Sequence, residues 1–99
     1  MINVYLWDTS FDGSVLGTLY KTTDPFDSAS WSDPLYFTSP NIDCDIFWDD
    51  DGTVYLHTAG IRQQTIDLET GETSPVRWIW NGTGAGLAEG PHFYKRDGW

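Results

Sequence analysis

One hairpin limits what this chain can become. Ile46-Phe47-Trp48 is a short apolar run, Asp51-Gly52 is a turn dipeptide, and Thr53-Val54-Tyr55-Leu56 is a return run of β-branched and aromatic residues. Glycine takes positive φ at no steric cost and aspartate tolerates it, so the dipeptide predicts a tight connection between antiparallel strands. Residues 41–60 therefore read as a turn, a strand, a hairpin and a second strand. Just ahead of the first strand stands Asp43, followed by Cys44 and Asp45. An acidic residue at the lip of a strand, among apolar neighbours, is a place where an enzyme holds a carboxylate.

The rest of the chain has the same texture. Short runs at Ile2–Trp7, Val15–Thr22, Pro34–Thr38, Arg62–Leu68, Val76–Trp80 and His92–Lys95 predict further strands. They are divided by an Asp12-Gly13 loop, Asp24-Pro25, a polar stretch from Ser28 to Ser32, a turn at Glu69–Glu72 and a Gly-rich loop from Asn81 to Gly86. The strand that begins at Pro34 suits a sheet edge, because proline cannot donate to a ladder. Aromatic residues make up 16% of the chain, six of them Trp, while helix formers are scarce. The fold class is all-β with many tight turns.

Two fragments recur. Val4-Tyr5-Leu6 returns as Val54-Tyr55-Leu56, a step of about 50, and Asp51-Gly52 returns as Asp97-Gly98 at a comparable step, in the range of propeller blades. On this register residues 1–40 end one blade, 41–86 form a full blade and 87–99 start another. A propeller needs about four blades to close, so 99 residues make a partial β-propeller of about two four-stranded blades. Its exposed blade edges predict self-association. The competing reading of the repeats is a small sandwich with two look-alike hairpins.

The formal net charge of −10 argues against nucleic acid and against an anionic membrane surface as partners. A neutral ligand such as a sugar remains, although solubility alone explains acidity as well. Cys44 is the single cysteine, so no intrachain disulfide forms, and two His without ligand spacing predict no zinc site and no cofactor. No run approaches the roughly 20 apolar residues of a membrane helix. Met1 is followed by a strand-like segment without a basic region, so no signal peptide is visible. The Asn81-Gly82-Thr83 sequon matters only in a secreted chain.

The segment Asn41-Ile42-Asp43-Cys44-Asp45-Ile46-Phe47-Trp48-Asp49-Asp50-Asp51-Gly52-Thr53-Val54-Tyr55-Leu56 resembles the G-I-D-x-x-L-F-x-D-D-D-G-x-x-Y-L segment of glycoside hydrolase family 43. Gly60 to Glu72 is similar to the segment that follows it, and Glu89-Gly90-Pro91-His92-Phe93-Tyr94-Lys95-Arg96-Asp97-Gly98 resembles the family's E-G-P-H-x-Y-K-x-D-G motif. Tyr20 to Pro34 is similar to the preceding blade. Asn41 and Cys44 depart from the pattern, which commonly has Gly at the first position and Pro, Ala or Thr at the second.

The resemblance implies a five-bladed β-propeller and an inverting β-xylosidase or α-L-arabinofuranosidase acting on plant cell-wall oligosaccharides or polysaccharides. By motif, Glu89 corresponds to the general acid, and Asp43 to the carboxylate that modulates the acid's pKa and orients it. The general base is implied to be an Asp on the first blade, outside these residues, so the chain alone is expected to be weak or inactive. Family members are often secreted, which leaves localisation open. A carbohydrate-binding β domain that lost catalysis, or an inactive truncated product, are the alternatives.

The chemistry wants such residues. An inverting enzyme protonates a poor leaving oxygen with one carboxyl and activates water with a second, about 6.5–9.5 Å away. A neighbouring negative charge and burial both favour the protonated acid. Asp43 is expected to supply the charge, and the Trp- and Gly-rich surroundings of Glu89 the burial. Ile42, beside Asp43, and Trp31 are the candidate substrate-binding residues. A Glu before Gly-Pro is more often a solvated loop residue, and Asp43 has a competing use in bonding turn amides. Asp49, Asp50 and Asp51 lack calcium-loop spacing, because Phe47 stands where the first ligand belongs. Trp7, Trp78 and Trp80 read as inter-blade packing, Trp48 as packing or sugar platform, and His92 as structural.

Overall fold

A computed structural model describes residues 2–6, 15–80 and 88–99. Trp7, the Asp12-Gly13 loop and the 81–86 loop with its sequon lie outside the described residues. Strands β1 (Ile2–Leu6), β2 (Val15–Tyr20) and β3 (Leu35–Ser39) form one sheet. Strands β4 (Asp45–Trp48), β5 (Val54–Thr58), β6 (Arg62–Thr65) and β7 (Arg77–Trp78) form a second. Every pairing is antiparallel and every neighbour in space is a neighbour in sequence. Two such meanders are what a partial β-propeller requires. Of the repeated tripeptides, Val4-Tyr5-Leu6 ends β1, an edge of the first sheet, and Val54-Tyr55-Leu56 begins β5, the second strand of the other.

Where β3 was expected at an edge it is one, with Pro34 just outside it. The expected strand from Arg62 to Leu68 stops at Thr65. Past that point Ile66 bridges Thr73 and Asp67 closes a turn, its Oδ1 accepting the Glu69 and Thr70 amides at 2.7 and 3.0 Å. The run Val76–Trp80 contributes only Arg77-Trp78 to the ladder. His92–Lys95 is not a strand at all. Its Phe93 amide goes to a side-chain carboxylate, Asp45 Oδ2, at 2.9 Å instead of a strand carbonyl.

The two Asp-Gly pairs make different turns. At Asp51-Gly52 only the glycine has positive φ, and Gly52 N donates to Asp49 O at 3.0 Å while Asp49 N donates to Thr53 O at 2.9 Å. This is a type I turn closed by a glycine bulge, and the Asp51 carboxylate fixes it by accepting the Thr53 amide at 2.8 Å. At Asp97-Gly98 both residues have positive φ (51° and 84°), and Arg96 and Trp99 exchange two backbone bonds. That is the two-residue type I′ hairpin expected of the dipeptide.

The sheets meet through a small apolar core. Leu19 and Phe37 of the first sheet pack with Leu56 and Ile66 of the second, and Leu35, Cys44, Ile46, Val54 and Leu68 complete the cluster. Backbones also approach closely. A Cβ at Gly71 (φ +78°) would lie 2.1 Å from Tyr36 O, so glycine is required there on both counts.

Candidate active site

The site is built at the start of β4. Asp43 precedes the strand with φ of 57°, in the left-handed region that aspartate tolerates better than most residues. Its Oδ2 accepts the amide of Gly90 at 3.2 Å, joining segments 47 residues apart in sequence. Gly90 follows Glu89, so the two segments that carry the motif carboxylates meet here. On the other side of Glu89, Ala88 O accepts the Gly60 amide at 2.7 Å. Residues 88–90 are therefore held from both ends, with the exposed Glu89 side chain between the anchors.

The loop between β5 and β6 completes this corner. Ala59 N donates to Ile42 O at 2.9 Å, and Asn41 Nδ2 donates to Ala59 O at 3.2 Å. Asn41 Oδ1 accepts the Ile42 amide at 2.9 Å. The departure from glycine at position 41 thus adds a side-chain brace. Positive φ gathers here: Asp43, Gly60 (80°), Ile61 (48°) and Gly90 (58°). For a β-branched residue such as Ile61 this backbone is costly, and strain of this kind concentrates at functional sites.

Beyond Asp43 a second carboxylate grips the same segment. Asp45 Oδ2 accepts the Phe93 amide, and Asp45 Oδ1 lies 3.2 Å from His92 Nδ1. Farther along, Lys95 Nζ donates to Asp49 Oδ1 at 2.7 Å and to Asp50 Oδ2 at 2.8 Å. These carboxylates hold the Lys95 ammonium well above the usual lysine range, and Lys95 with the Asp50 amide holds the Asp49 carboxyl below its own. Instead of a backbone ladder, side-chain acids along β4 and its hairpin carry residues 90–95.

Asp45 also opens a polar row across the sheet. It pairs in register with His57, His57 with Gln63, and Gln63 with Arg77. Gln63 Nε2 lies 3.0 Å from His57 Nε2. The His57 ring is fully buried and stacks on Phe93 at 3.6 Å between centroids, with planes 11° apart. Burial pushes the His57 imidazole below its ordinary value, against the opposing pull of the Asp45 charge.

The other expected residues lie apart from these acids. Ile42 is half-buried and engages the corner through its backbone, next to Asp43. Trp31 is half-buried after the Ser28–Ser30 turn, and among the described residues no hydrogen bond or ring contact joins it to Asp43 or Glu89. The burial expected around Glu89 is not provided by the described residues. Trp78 and Trp80, expected in packing, are exposed, and the Arg62 guanidinium covers Trp78 at 4.5 Å. Asp45 and His57 were not singled out from sequence. The Asp-x-Asp spacing before an apolar run was the one signal for Asp45, and nothing local marks His57.

Residues 5–99 match Glycosyl hydrolases family 43. The chain is 36% identical over 102 aligned residues to a xylosidase/arabinosidase 43B of Humicola insolens, covering 89% of this chain and 19% of that protein. It is 35% identical over 88 residues to a xylosidase/arabinosidase of Butyrivibrio fibrisolvens, covering 70% of this chain and 17% of that protein. The chain thus spans about a fifth of the length of the curated relatives it matches. No solved structure matches it.

Proposed function

Since the chain belongs to glycoside hydrolase family 43, we propose that it carries two of the carboxylates of an inverting glycosidase, with Glu89 as general acid and Asp43 as its orienting partner. The substrate class is the xylan- or arabinan-type chains of plant cell walls, in keeping with the names of the two relatives. The observation that supports this most is the Asp43–Gly90 hydrogen bond, which ties the orienting carboxylate to the residue after Glu89. An exposed Glu89 on a backbone anchored at Ala88 and Gly90 is accessible to a leaving-group oxygen.

In this reading the second, water-activating carboxylate comes from outside residues 1–99, as inversion needs a separate base. The residues of this chain orient the acid and deliver the proton. The chain alone would self-associate through the blade edges that an incomplete propeller leaves unpaired.

The experiment is a comparison of substrates in the polypeptide that contains this chain. Glu89→Ala is expected to slow hydrolysis of xylo-oligosaccharides by about 10²–10⁴-fold, the usual worth of a positioned acid. An activated aryl xyloside, whose leaving group departs without a proton, is expected to lose far less. Equal losses on both substrates would make Glu89 a structural or substrate-positioning residue.

A further inference from the structure

Asp43 alone does not fix the direction of Glu89. It makes one hydrogen bond to the segment at 3.2 Å, and a single anchor on that side leaves the chain free to pivot about it. Two residues farther on, Asp45 supplies what is missing. Its side chain is 19% exposed and touches the segment at two adjacent residues, through the Phe93 amide at 2.9 Å and the His92 ring at 3.2 Å. Asp45 is itself immobilised, because it is the first residue of β4 and is paired in register with His57. His57 in turn stacks on Phe93, so the residue whose amide Asp45 holds is also gripped by its ring.

We propose that Asp45 is a positioning residue for the acid: it fixes the register and tilt of residues 89–93 against β4 and thereby aims the Glu89 carboxyl. The inference rests on the reading of Glu89 as general acid. Its physical basis is directional. A carboxylate accepting a backbone amide fixes that amide in both distance and angle, and charge-assisted bonds of this type are stronger than neutral ones. Misplacing a reacting group by about 1 Å costs on the order of 10²-fold in rate. Both Asp45 oxygens are engaged by residues 92 and 93, so its effect should appear in turnover and not in ground-state binding.

The test uses the polypeptide that contains this chain. Asp45→Ala is expected to lower kcat on a xylo-oligosaccharide by roughly 10- to 100-fold with KM nearly unchanged, and to spare the activated aryl xyloside. Asp45→Asn keeps an oxygen for the Phe93 amide and should recover most of the loss. Added to Glu89→Ala, the Asp45→Ala change should cost nothing more, because it acts through a group already removed. Should Asp45→Ala fail to fold, Asp45→Thr, a better strand residue too short to bridge both contacts, is judged by the same criteria. The proposal is overturned if the Asp45 variant slows both substrates equally, changes only the melting temperature, or is not rescued by Asn. If Glu89→Ala is itself unselective, the general-acid reading falls and this inference with it. If Glu89→Ala is selective and Asp45→Ala is not, the inference falls alone.

Discussion

The four-stranded sheet is joined to its surroundings in two unlike ways. Toward the β1–β3 sheet the joint is dry: Leu19, Phe37, Leu56 and Ile66 are all nearly inaccessible to solvent, and Gly71 lets two backbones nearly touch. Toward residues 88–96 the joint is polar, made by the carboxylates of Asp43, Asp45, Asp49 and Asp50 on amides, a histidine and a lysine. Apolar burial is strong and non-directional, so it holds sheets together without aiming any one atom. Hydrogen bonds contribute little net stability each but set distance and angle. A carboxyl that must meet a leaving oxygen belongs on the second kind of joint.

The contrast is broken first on the dry side. Phe37→Ala should cost about 3–5 kcal/mol, the usual loss for a buried Phe, because the ring is 3% exposed and fills the space over Gly17. Chemical denaturation measures it. A loss under about 1 kcal/mol would mean that the apolar joint does not carry the fold.

A pH titration of stability sharpens the comparison, because the polar joint alone contains a buried imidazole. His57 is held below its ordinary value by burial. The unfolded chain, with a His near about 6.5, therefore takes up the proton more readily than the folded chain. Stability should be full above that value and fall as pH drops through it, continuing down toward the lower folded value. Of the groups facing the ring, Asp45 favours the proton, while Gln63, Tyr55 and Phe93 carry no charge to assist it. His57→Gln should remove this decrement between about pH 7 and 5. The Asp49 and Asp51 carboxyls, held low by Lys95 and by backbone amides, act only in more acid solution, where their contribution is lost as pH falls through their depressed values. A wild-type curve flat from pH 7 to 5 would show that His57 is not buried as a neutral ring.

The smallest expected effect is at the far end of the polar joint. Lys95 bridges Asp49 and the exposed Asp50, so its ion pairs are screened by salt. Lys95→Met should change stability only slightly, and by less still in high salt. A larger loss, insensitive to salt, would put the stem packing of Lys95 ahead of its charge.

How far the sequence reached can be seen in single residues. Period-2 runs and turn dipeptides are local, and they correctly placed the hairpin around Gly52, the edge strand after Pro34 and the meander order. The motif around Asp43 and the one around Glu89 could each be found separately in the chain, and the two segments do meet. The same local signals misjudged His92–Lys95, whose alternation suits a strand. Its backbone is instead engaged by Asp45, a partner that no local pattern announces.

What the sequence by itself determined is an all-β chain, because β-branched and aromatic runs divided by Gly, Pro and Asp leave few other folds, and, through the motifs around Asp43 and Glu89, its resemblance to family 43. Which turn each Asp-Gly pair adopts was decided only in the tertiary structure. At Asp51 the carboxylate is spent on the Thr53 amide and only Gly52 turns over, whereas Asp97 enters the left-handed region itself. The roles of Asp45 and His57 were decided there too. Each depends on residues 35 or more positions away along the chain, the Phe93 amide for one and the Phe93 ring for the other. A contact between distant segments exists only once both sheets have folded and brought them together, so no local preference encodes it.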